Sequence, residues 1–235
     1  MAAYFRNLPF FAVLILASGM AMVLPAIVAG VSEDFRTGRA FLYSALMVIM
    51  AGVLIGFASQ TPRRAPSERS HLATMFLAYL WLPLVLALPM SEAVGNTRFI
   101  NVYLDMVSAL TTTGANVFEP ERLAPAVHLW RGFVAWFGGL LIWITAFAVL
   151  APLNLGGYEV TSEARVADNV IAAAGTMNAA GASERLRRHA QRLTPIYAGL
   201  TAVLAFALLA AGEDPLVAVI HAMSTLATSG ISPVG

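Results

Sequence analysis

Five stretches of this chain, 8–31, 40–60, 71–91, 132–153 and 193–212, are each apolar over about the 20 residues an α-helix needs to cross a bilayer core, and none carries an Asp, Glu or Arg in its interior. A backbone in lipid must satisfy its own polar groups, so such stretches fold as helices. Composition agrees, since 59% of the residues are hydrophobic and 11% charged, against about 25% charged in a soluble domain. The expected class is an all-α polytopic membrane protein. A net charge of +1, carried by arginines with no basic cluster among aromatics, offers no nucleic-acid surface. Without cysteine there are no disulfides, thiolate metal sites or cysteine nucleophiles.

The run at 8–31 follows Arg6 and holds small residues at Ala17, Gly19 and Ala21, as a secretory signal would. It is longer than the roughly 7–15 residues of a signal's apolar region, so it reads as a retained span. It pairs with the second span as a hairpin through the polar link 32–39, and Gly52 and Gly56 have the spacing that lets two helices approach closely.

Two further apolar runs, 100–110 and 216–226, are too short to cross. Each ends in a hydroxyl-rich turn closed by glycine: Thr111-Thr112-Thr113-Gly114 and Ala227-Thr228-Ser229-Gly230. Placing Gly114 on Gly230, 116 positions apart, also matches Ser108 with Ser224, Leu110 with Leu226 and Thr112 with Thr228. One such turn reads equally well as a helix C-cap; the repetition, each time behind a full span, points instead to a re-entrant half helix and a turn. That arrangement exposes backbone carbonyls to a cation at membrane depth. Glycine reaches φ > 0 without strain, Ser and Thr brace the backbone, and a half helix points its partly negative C-terminus at the ion. The expected organisation is span, half helix, turn, span, complete once and repeated without its closing helix.

Arginines set the expected orientation. Arg63, Arg64 and Arg69 separate spans two and three, and Arg165, Arg185, Arg187, Arg188 and Arg192 separate spans four and five. These loops read as cytoplasmic, which puts the N-terminus inside, the hairpin tip outside and both turns open to the outer face. The loop 156–192 is then the one sizeable intracellular surface.

The residues Ala109 to Ala115, Leu129-Trp130-Arg131, Trp136-Phe137-Gly138-Gly139-Leu140, Pro152-Leu153, Gly156-Gly157, Tyr197, Thr201 and His221-Ala222 together resemble the membrane subunit of the Trk/Ktr/HKT potassium-uptake superfamily, bacterial Trk type. The resemblance implies four such units around one pore behind an N-terminal hairpin. Residues 1–60 would be the hairpin, 61–157 the first pore unit and 158–235 most of the second. It also implies potassium uptake across a bacterial inner membrane without a cofactor, a homodimer, and a cytoplasmic nucleotide-binding regulatory subunit. The filter residues would be Thr111, Thr112, Thr113 and Gly114 with Ala227, Thr228, Ser229 and Gly230.

In plant relatives, serine at the position of Gly114 accompanies sodium preference and glycine accompanies potassium. Two departures stand out. The second turn has Thr228-Ser229-Gly230 where the family usually has two glycines, and the third and fourth units do not follow, so the chain reads as part of a longer protein or, as the less favoured alternative, as one half completed by another chain.

Asp105 and His221 occupy matching positions in the two half helices and read as polar packing behind the turns, since no nucleophile, metal cluster or phosphate loop accompanies them. His71, His128 and His189 lie near span ends and read as solvated or interfacial, Trp130 with Arg131 as an interfacial anchor, and Trp81 and Trp143 as core. Spans free of ionisable groups argue against an intramembrane enzyme. The alternative function is a secondary sodium- or proton-coupled carrier, which also uses broken helices.

Overall fold

The first apolar run folds as two helices, α1 (Phe10–Ala21) and α2 (Val23–Val31), separated only by Met22. Pro25 lacks the N–H that would bond the Ala21 carbonyl, which is where the ladder breaks. Bonds from Met22 N–H to Ser18 O (3.1 Å) and from Ala26 N–H to Met22 O (3.3 Å) carry the chain across, so 12–31 remains one span. Asp34 then caps α3 (Phe35–Ala58), its Oδ1 accepting the Thr37 N–H at 3.1 Å. The hairpin closes tightly because its crossing is made of glycines. A Cβ on Gly52 would lie 2.9 Å from Leu16 Cγ and one on Gly19 2.8 Å from Ile49 Cγ1. Gly56 is buried as well.

The computed structural model describes residues 10–58, 68–146 and 179–234. Beyond the hairpin it holds α4 (Glu68–Val94), α5 (Phe99–Leu110), a 3-10 turn (Pro120–Arg122), α6 (Pro125–Thr145), α7 (Ala179–Ala210) and α8 (Pro215–Ala227). There is no strand among the described residues. The helices over Ala12–Val31, Phe35–Ala58, Pro125–Thr145 and Arg188–Ala210 are long and apolar enough to cross a membrane. The expected third span, 71–91, falls within α4, a helix of 27 residues with Pro83 and Pro89 inside it, whose apolar part Tyr79–Val94 is shorter than those four. The half helices α5 and α8 have 12 and 13 residues, about 18–20 Å against a hydrocarbon core of about 30 Å. Asp214 starts α8 by accepting the Leu216 N–H at 2.9 Å, ahead of Pro215 at the first helical position.

Helix α6 is the hub, packing on both half helices and on α2, α4 and α7. Met22, Phe41, Leu82, Leu86, Met106, Leu110 and Trp130 fill the core around it. Two expectations change. The fourth span starts at Pro125 rather than 132, so Arg131 lies two turns inside a spanning helix. Trp81 and Trp143, expected in the core, turn outward at 55% and 53% exposure. Lipid and protein interiors are equally apolar, so hydropathy does not tell these two faces apart.

The Arg36 guanidinium sits 2.5 Å from where a Gly95 Cβ would be, and Arg122 Nη2 donates to Asn96 O at 3.0 Å. The hairpin tip, the α4–α5 link and the segment after the first turn therefore share one face. Arg63, Arg64 and Arg165, the unit boundaries expected at 60/61 and 157/158, and the Pro152-Leu153 and Gly156-Gly157 pairs lie outside the described residues. So do the side chains of Arg69, His71, Arg185 and Arg187.

Candidate functional site

Each half helix ends in the same left-handed cap. Thr112 and Thr228 both have φ 54°, and Gly114 and Gly230 follow at φ 72° and 69°. In the first turn (111–114) the Thr111, Thr112 and Thr113 N–H groups donate back to Val107 O, Ala109 O and Ser108 O at 2.9–3.0 Å. In the second (227–230) Thr228 donates to Thr225 O at 3.1 Å and Ser229 to Ser224 O at 3.0 Å. These are Schellman-type closures. Ser108 Oγ donates to Ala115 O at 3.0 Å, while its counterpart Ser224 pairs with Ser229 Oγ at 3.1 Å. The second turn thus adopts the geometry of the first without the additional glycine.

The N–H groups of Thr111 to Gly114, Thr228 and Ser229 turn back onto their own helices, and the carbonyls do not. Among the described residues, no hydrogen bond is accepted by the carbonyls of Thr111, Thr112, Thr113 and Gly114, or of Ala227, Thr228, Ser229 and Gly230. The two turns also meet, since a Cβ on Gly114 would collide with the Ser229 carbonyl oxygen, whereas one on Gly230 would enter open space. A cavity of about 200 Å³ lies against the first turn, lined by Tyr79, Leu110, Thr111, Thr112, Gly138 and Ile142.

Adjacent glycines of α6 bring the turns together. A Cβ on Gly138 would collide with the Leu110 carbonyl at the end of α5, and one on Gly139 would lie 3.0 Å from Ala227 Cα at the end of α8. One helix thus seats both half helices through consecutive residues. Trp136 Nε1 donates to Thr201 Oγ1 at 2.8 Å and stacks obliquely on Tyr197 at 5.1 Å, fixing α7 on the same stretch.

Arg131 and Trp130 are not an interfacial anchor. Trp130 is fully buried, donating to Leu86 O at 3.0 Å and meeting Phe41 edge-on at 5.7 Å. Arg131 Nε and Nη2 grip Asp105 Oδ2 and Oδ1 at 2.8 and 3.1 Å, and Nη2 also reaches Asn116 Oδ1 at 2.8 Å. The side chains of the ion pair are 1% and 0% exposed. His128, expected at an interface, is buried and donates from Nε2 to Pro120 O at 2.9 Å. The signal for this cluster was Pro125, a good first helical residue, from which His128 and Arg131 follow at helical spacing. His221 Nε2 meets Ser232 Oγ at 3.1 Å. Asp105 and His221 therefore both tie the segment leaving their own turn. No group of three His, Cys, Asp or Glu that could hold a metal ion occurs among the described residues.

No protein-family model matches the chain. The Trk system potassium uptake protein TrkH of Escherichia coli K12 is 30% identical over 224 residues, covering 93% of this chain and 44% of the relative. TrkI of Halomonas elongata is 28% identical over 224 residues, 94% of this chain and 43% of the relative. The chain's homologues are Trk system potassium uptake proteins. The crystal structure of the potassium transporter TrkH from Vibrio parahaemolyticus superposes with a TM-score of 0.73 at 26% identity, covering 97% of this chain and 44% of that one. The chain therefore has the TrkH transporter fold and spans less than half the length of the Trk relatives it matches.

Proposed function

We propose that this protein takes up potassium, passing the dehydrated ion between the carbonyls of Thr111, Thr112, Thr113 and Gly114 and those of Ala227, Thr228, Ser229 and Gly230. One observation carries the reading: two abutting turns fold the N–H groups of Thr111 to Gly114, Thr228 and Ser229 back onto their own helices and leave eight carbonyls without a donor among the described residues. Neutral carbonyl dipoles replace an ion's hydration without holding it too tightly. The ends of α5 and α8 add partial negative charge, on the order of half an elementary charge each. The names of the Trk relatives favour potassium uptake over a sodium- or proton-coupled carrier.

In this reading the chain is a hairpin (1–60), one pore unit (61–157) and most of a second (158–235). It lies in a bacterial inner membrane with its N-terminus cytoplasmic and its turns open outward, and it works as a homodimer with a cytoplasmic nucleotide-binding regulatory subunit. The test is growth and rubidium uptake in a bacterium lacking its own potassium uptake. The full-length protein should restore growth at low potassium, and Gly114→Ser should raise sodium uptake relative to potassium. Unchanged relative uptake in that variant would refute the filter assignment.

A further inference from the structure

We propose that Arg131 is a selectivity-determining positioning residue, acting with Asp105 and Asn116 as a buried strut behind the first glycine turn; this rests on the potassium-filter reading above. The three residues bracket the turn. Asp105 on α5 precedes Thr111, Asn116 follows Gly114 on the exit segment, and Arg131 holds both from α6 with contacts of 2.8–3.1 Å. Asp105 Oδ1 also faces the Val117 N–H at 3.4 Å, so the carboxylate itself reaches the exit segment. His128, one turn earlier on α6, holds Pro120 O further along the same segment.

The pair is the one ion pair among the described residues, and it lies in a spanning helix and a half helix where charge is costly. A buried ion pair seldom stabilises more than an apolar pair of equal volume. Its advantage is directional: the guanidinium fork fixes a carboxylate and an amide in one plane. Since Asp105 pairs with Arg131, the strut adds no net charge near an entering cation. At the places of Asp105 and Asn116, 116 positions on, the second turn carries His221 and Ser232, joined by a hydrogen bond of 3.1 Å. The strut described here stands behind the first turn, whose Gly114 abuts the Ser229 carbonyl. Discrimination between cations depends on the number and spacing of the carbonyls, which a slack exit segment changes.

Rubidium uptake and its competition by sodium should be measured in the full-length protein, alongside membrane abundance, for Arg131→Lys and Asn116→Ala. Lysine keeps the charge without the fork. Alanine removes only the exposed end of the strut, so folding does not decide its result. Each variant should lose about tenfold in potassium-over-sodium discrimination, the equivalent of one charge-assisted hydrogen bond. Unaltered discrimination in Asn116→Ala at normal abundance overturns the strut, whatever Arg131→Lys does. If Gly114→Ser shifts discrimination while Asn116→Ala does not, the strut falls and the filter reading stands. If the unaltered protein moves no potassium, both fall.

Discussion

The two key glycines share a backbone conformation and differ in what lies beside them. Placing a Cβ at φ near 70° costs about 1–2 kcal/mol at either position, but only at Gly114 does it also strike the Ser229 carbonyl. Gly114→Ala should therefore depress rubidium uptake severalfold more than Gly230→Ala, and equal losses would mean that the contact between the turns does not matter. Asp34 gives a second residue-scale prediction. The Thr37 hydroxyl, then its backbone N–H, holds the Asp34 carboxyl below the ordinary value of 3.8. The folded state thus favours the ionised form, and this contribution is present above the unfolded pKa and lost as pH falls below it. Asp34→Ala should lower stability by about 1 kcal/mol at neutral pH, with the difference fading in acid, as read from thermal midpoints in detergent. The glycine turns were legible because each repeats a local pattern. Arg131 was not, because its partner lies 26 residues away and hydropathy alone put the start of its span one residue beyond it.

At the scale of elements, α6 decides how far apart the turns sit. Gly138 and Gly139 contact backbone at the ends of α5 and α8, whereas a Cβ on Gly132 would meet only side-chain atoms, the nearest being Ile220 Cγ2 at 3.2 Å. Side chains can shift and backbone cannot without moving its turn. Gly138→Ala and Gly139→Ala should each destabilise by about 1–3 kcal/mol, the range for overpacking, and impair uptake, with Gly132→Ala the mildest. Thermal midpoints and rubidium uptake on the three variants check that order. The half helices themselves were readable to within a residue, 100–110 against Phe99–Leu110 and 216–226 against Pro215–Ala227, because glycine and proline punctuate them. Helix facing was not readable: the residues flanking Trp81 and Trp143 are apolar on every side, so the sequence there carries no amphipathic signal separating lipid from protein.

For the whole molecule, the hairpin tip, the α4–α5 link and the exit segment of the first turn share a face, which the orientation proposed here makes the outer one. The chain has no cysteine, so single cysteines report orientation without background. Glu33→Cys and Glu121→Cys should both react with a membrane-impermeant maleimide added to intact spheroplasts, while Arg64→Cys should react only after permeabilisation. The opposite pattern would invert the protein.

The proposed function requires the free carbonyls of the paired turns to hold a bare cation. Rubidium replaces potassium and scatters anomalously, so crystals of the full-length protein grown in rubidium test the claim directly. An anomalous peak should lie within coordinating distance of carbonyls from both 111–114 and 227–230, and it should vanish in sodium. Rubidium bound elsewhere, with both turns empty, would overturn the proposed filter.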